Sequence, residues 1–91
     1  MADAAAATGN QAFADAAAAA KQLSYNPSND ELLTLYGYFK QGTVGDNATE
    51  RPGLFDLQGK AKWDAWTKNK GLSKEEAQAK YIEFVKSLQA K

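Results

Sequence analysis

Cysteine and histidine are both missing from the 91 residues. Without cysteine there is no disulfide, no thiolate metal site and no sulfur nucleophile. Without histidine the commonest general base near neutral pH and the commonest metal ligand are gone as well. Serines and aspartates remain, but none sits in a recognisable nucleophile motif, so neither an enzyme nor a resident cofactor is expected. An excess of one charge is lacking too, since 11 Lys and Arg balance 11 Asp and Glu. A nucleic-acid-binding domain normally carries a basic surplus, so nucleic acid is not an expected partner. Any charge-driven function must be local. The stretch from Asp56 to Lys70 is one such place, with Lys60, Lys62, Lys68 and Lys70 against Asp56 and Asp64.

Long apolar runs are also absent. Nothing approaches the ~20 residues that cross a bilayer, so stable membrane insertion is not expected. The N-terminal residues lack the positive start and leucine-rich stretch of a signal peptide. They carry Asp3 and Asp15 and no arginine, which argues against a transit peptide, and the expected location is cytoplasmic. Asn47-Ala48-Thr49 fits a glycosylation acceptor and, without a secretory signal, reads as coincidence. The 44% hydrophobic content overstates the core, because twelve of the first twenty residues are alanine. A chain of this length is one domain, 1–91, burying ~60–65% of the surface its unfolded form exposes. Residues 1–9 read as a frayed tail.

Four helical segments are present and no convincing strand. The first runs from about Asn10 to Leu23, with Phe13, Ala16, Ala17, Ala20 and Leu23 at helical spacing. Tyr25-Asn26-Pro27 ends it, because the residue before a proline avoids helical angles. The second opens on the capping box Ser28-Asn29-Asp30-Glu31 and is expected to end near Gln41-Gly42. Residues 42–55, GTVGDNATERPGLF, then form a loop long enough to suggest a function. The third helix covers roughly Asp56 to Asn69. The fourth follows a second capping box, Ser73-Lys74-Glu75-Glu76, and carries a stripe of Ala77, Tyr81, Phe84, Val85 and Leu88. The fold class is therefore all-α, a four-helix bundle. Its one long connection, between helices two and three, argues against a plain up-down-up-down order.

The stretch LYGYFKQ, residues 35–41, concentrates three aromatic residues and a lysine. Tyr36, Phe39 and Lys40 share one helix face at offsets of three and four, with Leu32 one turn earlier and Leu33 beside it. A ligand along this face meets aliphatic surface, then rings, then a cation. That order suits a molecule with a lipid end and a phosphorylated aromatic end, its base stacked on Phe39 and its phosphates paired with lysines. Aromatics at helical spacing are more often core than ligand platform, and packing is the leading role for Trp63 and Trp66.

LYGYFKQGTVGDNATERPG followed by GKAKWDAW, with the later SKEEAQAKYI, resembles the acyl-coenzyme A binding protein family over about Phe13 to Leu88. The resemblance implies a four-helix bundle in up-down-down-up order. It also implies non-catalytic binding, pooling and intracellular transport of medium- and long-chain acyl-CoA esters. Residue by residue, it places Tyr36 near the ribose 3′-phosphate, Phe39 against the adenine, and Lys40 and Lys62 as the cations gripping that phosphate. It sets Tyr81 against the ligand, Lys21 near the CoA head, and Leu32, Leu33 and Ala17 beside the acyl chain. Acyl-CoA is then ligand, not cofactor. A monomer is expected, with at most transient contact with membranes or acyl-CoA-using enzymes. Three rivals stand beside this reading: an acyl-CoA hydrolase, a single-stranded nucleic acid module, and a helical interaction module whose aromatic face docks a partner.

Overall fold

The computed structural model describes residues 2–91, with side chains from residue 4, and every regular element among them is a helix. The elements are α1 (Ala2–Ala6), α2 (Gln11–Ala20), α3 (Asn29–Thr43), α4 (Leu57–Thr67) and α5 (Lys74–Gln89). The four longer ones form the expected bundle in up-down-down-up order.

Each helix of the bundle starts where a side chain accepts an amide that the first turn leaves unpaired. Asn10 takes the Phe13 amide at 3.1 Å, and the Asp56 carboxylate takes that of Gly59 at 2.9 Å. Both capping boxes form. Ser28 Oγ accepts from the Glu31 amide at 3.1 Å while Glu31 accepts from the Ser28 amide at 2.8 Å. Ser73 and Glu76 repeat the exchange at 3.0 and 3.1 Å.

Residues 2–6, within the segment expected to fray, instead form α1, which packs on α2 and α3 with Ala5 fully enclosed in the core. Five residues cannot sustain a helix alone. Alanine's high helix propensity and small volume let this one fold by docking. Gly9, at φ +79°, turns the chain into α2, and Thr8 Oγ1 donates to the Ala5 carbonyl at 2.6 Å.

α3 lies at the centre. It packs on both α4 and α5, and α2 packs on α5. Gly37 sets the α3–α4 separation, because a Cβ there would sit 2.3 Å from the Ala65 carbonyl oxygen and 2.9 Å from Asn69 Nδ2. Two effects oppose each other in Gly37→Ala. Helix propensity gains about 1 kcal/mol, and overpacking against a fixed backbone atom costs about 1–3 kcal/mol. The clash is with main chain and wins, so a net loss of up to about 2 kcal/mol is expected in denaturant unfolding. An unchanged or raised midpoint would show that α3 and α4 have room to part.

α3 runs through Thr43, so the long connection is residues 44–56, slightly later than 42–55. It is clamped along its length. Trp66 Nε1 donates to the Gly45 carbonyl at 2.8 Å, and Trp63 Nε1 to that of Thr49 at 3.0 Å. Arg51 meets Asp64 through two nitrogens, at 3.1 and 3.0 Å. Asp46 accepts from Gln41 at 2.8 Å and from the Gly71 amide at 3.0 Å. Those bonds hold its carboxyl below the usual carboxylate range, the Gly71 amide contributing most. The TVGD and TERPG stretches are thus the fastening of a crossover that returns the chain to the starting end of α3. Asn47 is buried and its amide nitrogen donates to Thr67 Oγ1 at 3.0 Å, so the glycosylation acceptor atom is already engaged.

The last residue is fastened as well. Lys91 Nζ pairs with the Glu31 carboxylate, which also accepts from the Tyr25 hydroxyl at 3.3 Å. Glu31 is held at a pKa of about 2 rather than 4.5, by the Lys91 hydrogen bond first and the Ser28 amide second. A carboxyl depressed in the folded state stabilises the fold above its unfolded pKa, and the contribution fades as pH falls. Glu31→Gln is therefore expected to lower stability at pH above 4.5, with the deficit shrinking as pH falls toward 2. Urea titrations across that range test this, and a deficit independent of pH would contradict it.

Candidate functional site

α2 and α4 both flank the α3–α5 layer but do not pack against each other. The space between them is a cleft of about 300 Å³. α3 supplies its floor with Leu32, Leu35, Tyr36 and Phe39, spaced 0, 3, 4 and 7 along one helical face. α2 and its C-terminal cap contribute Ala17, Ala20 and Lys21, α4 contributes Lys62, and α5 contributes Tyr81. The volume lies at the lower end of the range for small-molecule sites, and the lining is the usual one, apolar with a few convergent polar groups.

Three rings underlie the cleft. Phe13, Phe39 and Tyr81 pack mutually with centroids 5.1 to 5.8 Å apart, Phe13 and Tyr81 edge to face. Such tilted contacts place ring edges against ring faces and add to simple burial. Phe39 therefore serves the core and the cleft together, and it is only 4% exposed. Burial alone pushes the Tyr81 phenol up to about 12, still further above neutral pH than an ordinary tyrosine, so it lines the cleft as a neutral phenol.

Two cations border the cleft from opposite walls, Lys21 from the end of α2 and Lys62 from α4. Both residues are exposed, and the Lys62 ammonium stands 5.6 Å from the centre of the Tyr36 ring. Of the residues singled out from the sequence, Ala17, Lys21, Leu32, Tyr36, Phe39, Lys62 and Tyr81 line this one space. Leu33 and Lys40 do not. Leu33 lines an adjoining cavity of about 280 Å³ with Ala61 and Leu57, and that cavity shares Leu32 and Lys62 with the cleft. Lys40, one turn beyond Tyr36, holds its ammonium 4.9 Å from the centre of the Trp66 ring. Leu35 and Ala20 line the cleft but escaped the sequence reading as ligand contacts. Their apolar spacing was visible, and packing was sufficient reason for it.

Among the described residues no group of three His, Cys, Asp or Glu is placed to hold a metal, and no helix is long and apolar enough to cross a membrane. The site offers aliphatic and aromatic surface bordered by ammonium groups. That arrangement defines a helical-bundle binding protein for an amphipathic anion.

The particular family follows from comparison with known proteins. The family model described as "Acyl CoA binding protein" matches residues 10–85. The chain is 62% identical over 79 residues to acyl-CoA-binding protein homolog 1 of Caenorhabditis elegans, covering 87% of this chain and 92% of that one. It is 56% identical over 82 residues to the acyl-CoA-binding protein homolog of Drosophila melanogaster, covering 90% and 95%. The crystal structure of Oryza sativa acyl-CoA-binding protein 2 superposes with a TM-score of 0.84 at 49% identity, covering 88% and 89%. The chain belongs to the acyl-CoA binding protein family. α1 lies outside the residues matched by the family model.

Proposed function

We propose that this chain is a single domain that binds medium- and long-chain acyl-CoA esters one to one, without catalysis, and pools and carries them in the cytoplasm as a monomer. The observation that carries this reading is the cleft itself. Leucine, aromatic and lysine side chains from four separate helix regions converge on a single space, and the chain's relatives at 49–62% identity are named for acyl-CoA binding.

In this reading the nucleotide enters between α2 and α4. Its base lies against the Phe39 and Tyr36 rings, a contact type worth about 1–3 kcal/mol. Its 3′-phosphate meets Lys62, the Tyr36 hydroxyl and Lys40, whose ammonium leaves the Trp66 face to reach it. Lys21 faces the pyrophosphate side and Tyr81 lies against the ligand from below. The acyl chain runs along Leu32 and Leu33, with Ala17 at the opposite wall.

The two halves of the ligand do different work. Moving a sixteen-carbon tail out of water contributes at most ~12 kcal/mol, at ~0.8 per methylene, and ordering the chain takes part of that back. The tail gives affinity, but a free fatty acid has one too. The phosphorylated head gives selectivity through charge-assisted hydrogen bonds to lysines that folding has already gathered. Balanced net charge is no obstacle, since the positive field is needed in one cleft.

Native mass spectrometry of the protein purified from cells tests the proposal. One acyl-CoA per chain is expected. A chain carrying no acyl-CoA and failing to take up added ester would instead bring forward a helical module docking a protein partner.

A further inference from the structure

The turn that leads into α4 puts its largest apolar side chains into solvent. Leu54 is 78% exposed, Phe55 100% and Leu57 72%. The turn is built, since the Asp56 amide donates to the Gly53 carbonyl at 3.1 Å and the Asp56 carboxylate caps α4 through Gly59. Its base is fixed by the Arg51–Asp64 and Trp63–Thr49 bonds described above. Local hydrogen bonds thus hold the apolar side chains outward.

We infer that Leu54, Phe55 and Leu57 form a docking tip for the surface of a phospholipid bilayer, through which the cleft exchanges its ligand with the membrane. The inference rests on the proposed acyl-CoA binding. Three observations favour a bilayer as the occupant. The tip protrudes, as full exposure of Phe55 and open space around Gly53 show, so it suits a soft interface that a plug can enter. Lys60 follows the tip in the first turn of α4, a cation close behind it for lipid phosphates while the side chains ahead of it insert. Asp56, the acid within the tip, is turned to its own helix N-terminus. The tip is also continuous with the site. Leu57 lines the adjoining cavity with Leu32 and Leu33, and that cavity shares Leu32 and Lys62 with the cleft. An acyl tail leaving the bilayer there meets apolar surface on the way to the cleft.

The test uses the full chain without ligand, floated with vesicles of phosphatidylcholine and phosphatidylserine. The comparison is the double variant Leu54→Ser with Phe55→Ser, neither residue lining the cleft. The unmodified chain is expected to float with vesicles, and the variant's partitioning to fall at least about tenfold, since one such apolar group already accounts for that factor. Stopped-flow uptake of acyl-CoA from the same vesicles is expected to slow in the variant, with affinity in vesicle-free solution unchanged. No flotation of the unmodified chain, or equal flotation of both, overturns the docking inference. Loss of binding in vesicle-free solution by the unmodified chain overturns the proposed function instead.

Discussion

Phe13→Ala is expected to remove about 3–5 kcal/mol of folding free energy, the usual cost of truncating an enclosed aromatic. Phe13 has no exposure and stands between Phe39 and Tyr81, with ring centroids 5.5 and 5.1 Å away. Its loss empties the point where α2, α3 and α5 meet. Relaxation is restricted on the Gly42 side, where the Phe13 ring already lies 3.2 Å from the position a Cβ would take. Domains of this size hold about 5–15 kcal/mol in total, and each kilocalorie moves the midpoint by about 4–8 °C. A fall of at least 12 °C, or an unfolded chain, is therefore the expected outcome of a thermal melt, at about 3 kcal/mol or more. A fall of a few degrees would mean that the three rings do not form one unit. The milder Phe13→Leu keeps the fold measurable and is expected to weaken ligand binding as well, because the floor of the cleft shares these rings.

The second large effect concerns affinity. Lys62→Ala is expected to weaken binding of a long-chain acyl-CoA by about 10–100-fold, the range for losing a hydrogen bond to a charged group. Lys62 is exposed before binding, so its removal leaves no buried charge and does not disturb folding. The ester of 3′-dephospho-CoA should bind the unmodified chain more weakly by a similar factor, yet lose little further affinity to Lys62→Ala. Such non-additivity marks two groups that interact directly. Lys40→Ala is expected to act in the same direction by a smaller factor, because moving that ammonium from the Trp66 face offsets part of its contribution. Isothermal titration of both variants with both esters measures all of this. Unchanged affinity in both would remove the lysines from phosphate recognition.

The bundle was legible in the sequence because its signals are local. Two Ser-x-x-Glu boxes name the starts of α3 and α5, and both close in the structure. Of the stripe, Ala77, Tyr81, Val85 and Leu88 point at the core as their spacing requires, and Phe84 is only partly buried at its edge. α1 was not legible, since its stability comes from burying Ala5 against other helices and not from its own five residues. Much of the cleft floor was legible too, as Leu32, Tyr36 and Phe39 fall on one face of one helix. What the pattern could not supply was direction across helices. Tyr36 and Lys40 are one turn apart, yet Lys40 reaches toward Trp66 while Lys62, on another helix, stands over Tyr36. Nor could it assign Gly45 and Asp46 of the crossover, or the tryptophans of α4, to loop fastening, because their partners lie as many as 25 residues away.

The arrangement of a nucleotide head in the cleft and a tail along Leu32 and Leu33 is tested most directly by a crystal structure of the chain with a bound long-chain acyl-CoA. The expected result is the adenine against Phe39 and the 3′-phosphate within hydrogen-bonding distance of Lys62. A nucleotide seated elsewhere, remote from α3 and α4, would contradict it.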